Sequence, residues 1–216
     1  MPTLPALPAL PATLVLHPVV ISGHWASWHQ RLSRSVLSLL SILLLLIMML
    51  AASRAAQAQE IPAHIRLALP EARLAGQGGF TWFGLSIYDA TLYVGPQGYV
   101  PGQRFVLDLR YARSLQGARI AKASIEQMQK VGVGTQAQHA QWFTSMQAIF
   151  PDVQEGTHLT AIFSPQAATR FLRDGQPLAE IADPEYGPAF AAIWLSPATT
   201  APKLRTQLLR DAAPRP

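Results

Sequence analysis

The sequence predicts an α+β fold in which an antiparallel sheet is covered by a layer of helices, and three observations carry that reading. Apolar and polar residues alternate with period two in RFVLDLRY (104–111), the mark of a strand with one face on a core. The period lengthens to that of helices across residues 118–150. A later pair of short runs is joined by Asp174-Gly175, the strongest local hairpin signal in the chain. Strands joined by hairpins, with helices gathered late, differ from the strict strand–helix alternation of a doubly wound sheet.

The N-terminal quarter reads as an address. RLSR (31–34) is a positive stretch, VLSLLSILLLLIMML (36–50) is an apolar run, and AQA (56–58) offers small residues at a cleavage site. Residues 31–58 are therefore expected to be an export signal cut after Ala58, which places the mature protein in the periplasm. The apolar run falls short of the roughly 20 residues that span a bilayer comfortably, but Ala51 and Ala52 lengthen it, so an uncleaved anchor stays open as the alternative. Residues 1–30 carry Pro2, Pro5, Pro8, Pro11 and Pro18 and no Lys, Arg, Asp or Glu. They are expected to be a disordered leader or to follow from a misplaced translation start.

Residues 59–216 are long enough for a single domain with its own core, since the 216-residue chain is 50% hydrophobic. The formal charge of +5 includes Arg31, Arg34 and Arg54; without them 14 Lys and Arg face 12 Asp and Glu. So mild an excess gives little support for nucleic-acid binding. The absence of cysteine excludes disulfides, thiolate metal sites and thiol nucleophiles.

Along this region, residues 59–69 lead in, and EARLAGQGG (71–79) reads as a short strand ending in a Gly-rich turn. GGFTWFGLSIYDATLYVG (78–95) follows, read as one long strand. Its even positions (Phe80, Trp82, Tyr88, Leu92) and odd positions (Phe83, Leu85, Ile87, Tyr93) are both apolar, so it is expected to be central and covered on both sides. After a turn at 96–102, Phe105, Leu107, Leu109 and Tyr111 share one side of the next strand, and Val106, Asp108 and Arg110 the other. Ile120, Ile125, Met128 and Val131 form a helical stripe ended by Gly132 and Gly134. Trp142, Phe143, Met146, Ile149 and Phe150 form a second stripe that Pro151 stops. THLTAIFS (157–164) is a strand, the hairpin spans 169–181, and helices are expected at 184–195 and 202–210 with Pro197 between them.

Most catalytic signatures are missing. His64, His139 and His158 are scattered, without the spacing of metal ligands, and neither a metal nor a cofactor is expected. GQGG (76–79) leads into a strand and GVG (132–134) has no following Lys, so both read as turns and not as phosphate loops. No G-x-S-x-G occurs. Arg104, Arg110, Arg113 and Arg119 form a loose basic group, either a solvated rim or the source of a forked contact to a ligand carboxylate, for which Arg110 is the best candidate. Asp89, inside the covered strand, would need a partner such as Arg110 or Arg73.

The stretch 78–95, the strand FVLDLRYAR (105–113), the helix RIAKASIEQM (119–128), MQAIFPDVQEGTHLTAIFSP (146–165) and DGQPLAEIADPEYGPAFAAIWLSPATTAPKLRTQLL (174–209), in that order, resemble the bacterial chalcone isomerase-like family. The resemblance covers about residues 65–210. It implies an open-faced sandwich with a cleft for an apolar ligand between sheet and helices. The family contains flavonoid-cyclising isomerases, fatty-acid-binding members and bacterial members of unassigned activity.

Where the enzymes carry a threonine, a tyrosine and an asparagine, this sequence places Phe83, Ile120 and Gln127, and Thr81 falls near the position of their arginine. A Phe and an Ile cannot donate to the enolate oxygen that develops in an intramolecular Michael addition. The resemblance therefore implies a non-catalytic protein holding a fatty acid or another small apolar molecule. The expected contacts are Arg110, Arg73, Tyr88, Trp82, Phe83, Met128, Trp142 and Met146, and the membrane is met only through an uncleaved signal. The alternative is an intramolecular lyase acting on a chalcone-like enone, dependent on Arg110 or Tyr88.

Overall fold

The computed structural model describes residues 60–214; the expected leader and export signal lie outside the described residues. Six strands form one antiparallel sheet in sequence order: β1 (Arg73–Trp82), β2 (Leu85–Val94), β3 (Phe105–Tyr111), β4 (His158–Phe163), β5 (Thr169–Arg173) and β6 (Gln176–Ile181). The lead-in contains a short helix, α1 (Ala63–Ala68). Helices α2 (Gly117–Val131) and α3 (Gln136–Ile149) lie between β3 and β4 in sequence, and α4 (Tyr186–Leu195) and α5 (Pro202–Leu208) close the chain.

The stretch expected to be one long strand is a hairpin. The chain turns at Phe83 and Gly84, whose φ angles are 48° and 76°, and Trp82 pairs with Leu85 across the turn. Two consecutive positive φ values give the two-residue turn whose twist matches the flanking strands. Because the chain reverses there, β1 is an edge strand, and the apolar residues at the turn are exposed instead of covered. The turn expected at 76–79 is absent: Gly76, Gly78 and Gly79 lie within β1, paired with Leu92, Ala90 and Asp89.

Gly76 has a packing role. A Cβ there would lie 2.0 Å from the Gln207 carbonyl oxygen and 2.6 Å from that of Leu208, so the backbone of α5 rests against the backbone of β1. Arg73, at the start of the same strand, is buried, and its guanidinium donates to the carbonyl of Asp211 at 2.5 Å and to that of Ala213. The chain after α5 is thereby tied across the sheet edge.

The pleat of β3 divides the two sides of the sheet as its alternation predicts. Phe105, Leu107, Leu109 and Tyr111 enter the main core with Trp142, Phe150, Phe171 and Phe190, under the helix layer. Val106 joins a smaller cluster with Ile65, Leu69, Tyr93 and Ile162, where α1 covers the other side. Asp108 is also buried on that outer side, bound by the Thr160 hydroxyl at 2.6 Å and the His158 ring at 2.7 Å.

Local signals end the helices where the residues indicate. Gly132 caps α2 at φ 80°. Thr135 opens α3 with a capping box, its hydroxyl accepting from the Gln138 N–H while the Gln138 side chain accepts from the Thr135 N–H. The β5–β6 turn is at Asp174 and Gly175, with φ of 50° and 79°.

Replacing Gly76 with Val should cost about 3 kcal/mol in urea unfolding, because the added methyls meet backbone that has no rotamer to yield. Gly95→Ala, where a Cβ meets nothing within 4 Å, should stay within about 0.5 kcal/mol of wild type.

Candidate functional site

A cleft of about 390 Å³ opens between the main face of the sheet and helices α2 and α4. This lies in the range of roughly 300–1,000 Å³ typical of ligand pockets. Its floor is made by Leu107, Leu109, Leu159 and Ala161, inward-facing residues of β3 and β4. Phe190, Ile193 and Trp194 of α4 form one wall, Ile120 and Ala123 of α2 another, and Phe80 and Trp82 stand at the hairpin side.

Polar groups enter at two levels. Tyr88 reaches in from β2, stacked on Phe80 at 5.2 Å between ring centroids and edge-on to Tyr111 at 6.0 Å. Its hydroxyl accepts the Trp194 indole N–H at 2.9 Å and makes no other hydrogen bond among the described residues. The hydroxyl hydrogen is thus available to an acceptor inside the cleft. Burial holds the phenols of Tyr88 and Tyr111 well above their ordinary pKa of 10.0, so both are neutral donors at physiological pH.

The second level includes Arg119, Glu126 and Lys130 of α2, all exposed, and Gln127, which accepts from the Thr200 hydroxyl at 2.5 Å. Glu126 lies 4.0 Å from Lys122 in an open ion pair, a contact of little energetic weight. Cationic charge is therefore presented beside an apolar interior. A larger groove, about 750 Å³, is lined by Tyr99, Phe105, Phe163, Pro184 and Arg205 among others. Its guanidinium already donates through Nε to the Leu195 carbonyl at 2.8 Å. The smaller cleft is the better site because it lies between the sheet and its helix layer, with an unclaimed phenol hydrogen set among apolar walls.

The structure distributes the residues expected at the site. Trp82 and Tyr88 line the cleft. Arg110 does not: the pleat that sends Tyr111 inward sends Arg110 to the outer face, exposed, in register between Asp89 and His158. Arg73 is spent on the carbonyls of Asp211 and Ala213. Phe83 is at the exposed hairpin turn, 87% accessible. Met128, Trp142 and Met146 are fully buried in the core, with the Trp142 indole N–H donated to Asp183 at 2.7 Å, so none reaches a guest. Asp89 is exposed beside Arg110 instead of buried.

Lys130, Tyr111, Thr200, Phe190 and Trp194 line the cleft without being expected there, and Arg119, named with the basic group, takes the place expected of Arg110. The position of Arg119 one turn before Ala123 and two turns before Gln127 on the same helix was the available signal.

A model described as chalcone isomerase-like matches residues 53–210, most of the chain. The chain belongs to the chalcone isomerase-like family. An uncharacterized protein of Haemophilus influenzae (strain ATCC 51907 / DSM 11121 / KW20 / Rd) is 28% identical over 135 residues, which is 62% of this chain. The match spans 66% of that relative, just under two thirds of its length. The crystal structure of an Arabidopsis thaliana fatty-acid binding protein superposes with a TM-score of 0.56 at 12% identity, covering 70% of this chain and 92% of that one. At that identity the likeness is one of fold. It agrees with the sheet and helix layer described above.

Outside the cleft, the His158–Asp108 pair has its own pH signature. The hydrogen bond to Asp108 raises the His158 pKa above 6.5; burial opposes it, Asp108 and Asp174 charges assist, and Arg110 opposes. Because the folded pKa is raised, the pair's stabilisation is complete below the unfolded pKa and is lost as pH rises through the folded one. NMR titration should find His158 above 6.5, Asp108→Asn should lower that value, and the variant's stability deficit should shrink as pH passes it.

Proposed function

We propose that the domain is a periplasmic, non-catalytic carrier whose cleft holds a small apolar molecule with an acceptor oxygen, a fatty acid being the class that fits best. The observation that carries this reading is the unclaimed Tyr88 hydroxyl hydrogen inside a cleft walled by leucines, isoleucines and aromatic rings. An apolar chain gains roughly 0.8 kcal/mol for each methylene taken out of water. The half-buried phenol then fixes the position of a carboxyl or carbonyl oxygen, or, in the reverse orientation, Arg119 and Lys130 receive a carboxylate at the exposed side. The Arabidopsis fatty-acid binding protein of the same fold supports that ligand class. The apolar run at 36–50 followed by AQA supports export.

The groups in the cleft are poorly suited to catalysis. Both phenols are held neutral, so they donate hydrogen bonds and are poor bases at physiological pH. Ile120, which stands where the resemblance places a tyrosine of the isomerases, adds a purely apolar contact to the wall. Among the described residues the single carboxylate lining the cleft is Glu126, exposed on α2 and 4.0 Å from Lys122.

Mass spectrometry of the protein purified from its native compartment should find a bound acyl chain. In solution titrations a long-chain fatty acid should saturate one site, and Tyr88→Phe should weaken it about fivefold, the value of one hydrogen bond near 1 kcal/mol. Arg119→Ala should weaken the acid more than the matching alcohol, whereas Arg110→Ala, on the far side of the sheet, should leave both unchanged. Ala161→Phe should block binding by filling the floor. Loss of acid binding in Arg110→Ala with none in Arg119→Ala would overturn this placement, and turnover of a chalcone above the spontaneous rate would overturn the non-catalytic reading.

A further inference from the structure

The β1–β2 hairpin projects past the rest of the sheet. The last β2–β3 pair is Tyr88 with Tyr111, whereas β1 and β2 stay paired through Thr81–Ser86 to Trp82–Leu85. The overhang ends in three exposed apolar side chains: Trp82 is 63% accessible, Phe83 87% and Leu85 53%. The Trp82 and Phe83 rings pack edge-on, their centroids 4.9 Å apart. Single exposed hydrophobic residues are ordinary on a protein surface, and Leu67 and Val100 are of that kind. Three neighbours on one turn are not.

Phe83 is doubly unfavourable where it stands. It holds a left-handed backbone, φ 48°, that glycine or asparagine adopts more easily, and its ring gains little burial in return. A tight turn would be served better by Asn-Gly. Apart from its edge-on contact with Trp82, an aromatic residue at that corner has favourable free energy to gain only against something outside the domain.

We propose that this tip inserts into the surface of a lipid bilayer and brings the cleft up to the membrane. Trp82 is both a tip residue and a cleft-lining residue, so the inserted wedge is continuous with the ligand's path. Arg119 and Lys130 line the same cleft and supply the charge that anionic headgroups attract. Aromatic side chains are favoured at the headgroup level of a bilayer. A protein partner fits less well: a stable protein interface buries roughly 800 Å² on each side, and a four-residue turn presents no such area. An acyl chain leaving the leaflet at Trp82 then enters the cleft without crossing water. This membrane contact is additional to the one expected from an uncleaved signal.

The chain contains no cysteine, so single labels test the idea in the full-length protein. A polarity-sensitive fluorophore on Phe83→Cys, and separately on Leu85→Cys, should shift to the blue and brighten severalfold on vesicles of phosphatidylethanolamine and phosphatidylglycerol. The same label on Val100→Cys, in the loop beyond the other end of β2, should not respond, which separates insertion of the tip from mere attachment through the N-terminal apolar run. The Phe83→Ser/Leu85→Ser variant, which loses two apolar side chains of the tip, should take up a fluorescent fatty acid from vesicles at least about tenfold more slowly.

The proposal rests on the cleft being a ligand site only for the uptake measurement. Labels at 83 and 85 that remain in water on vesicles overturn it, including the case where they become shielded only as protein concentration rises, which would make the partner a second copy. Tip labels that enter the bilayer in a protein that binds no fatty acid in solution would support membrane insertion and remove the carrier reading alone.

Discussion

Two spacings between the sheet and its helices decide what this domain can hold. At β1 the side chain is reduced to hydrogen at Gly76, and the backbone of α5 comes down to contact. At Tyr88, Tyr111 and Trp194 the intervening side chains are large rings, and one indole–phenol hydrogen bond of 2.9 Å ties α4 to β2. Helices rest on whatever lies beneath them, so small residues at one end and rings at the other leave a gap between. The cleft lies at the ring-lined part of the sheet, between it and α2 and α4. The Arg73 contacts to the carbonyls of Asp211 and Ala213 secure the chain that follows the tightly packed end.

The outer face of the same sheet shows what a buried polar group does when it has no ligand to meet. Asp108 is 8% exposed, yet both carboxylate oxygens are engaged, one by Thr160 and one by His158. Tyr93 beside it is pushed up to about 12 by burial and by that same carboxylate. Every strong partner of Asp108 comes from the sheet itself, which makes the cluster self-contained. Tyr88 differs in just this respect. Its oxygen accepts from Trp194 while its hydrogen meets no protein acceptor among the described residues, and it faces the cleft instead of the sheet's own polar groups.

Local chemistry made much of the fold legible in the sequence. The period-two pattern of 105–111, the stop at Pro151, the Gly132 cap and the Asp174-Gly175 turn each act over a few residues and are found where those residues put them. The turn at Phe83-Gly84 was hidden because a phenylalanine in a left-handed conformation contradicts the usual turn chemistry, and without it two strands merge into one. The glycines of 76–79 misled for the opposite reason. Gly76 and Gly78 serve close packing against α5, a contact 131 residues away between Gly76 and Gln207, and none of the three makes a bend. For the site, alternation already set Arg110 and Tyr111 on opposite faces, but which face carried the cleft depended on where α2 and α4 settle. Met128, Trp142 and Met146 have the right chemistry for a lining and occupy the helix faces that fill the core instead.

The departures from easy sequence rules fall on one small region, and they share a physical sense. A sequence shaped only by stability would put Asn at residue 83, bury or remove Trp82 and Leu85, and satisfy the Tyr88 hydroxyl from within. Each of these choices instead leaves favourable free energy to be gained from outside: apolar area at the tip, a hydrogen-bond donor in the cleft, and cations at Arg119 and Lys130 beside both. The proposed carrier role makes two demands: a guest bound without being changed, and exchanged with a reservoir. Neutral phenols answer the first requirement, since a group kept protonated holds an oxygen without drawing a proton from its neighbour. The exposed aromatic corner answers the second, because it shares Trp82 with the cleft and so couples contact at the surface to access within.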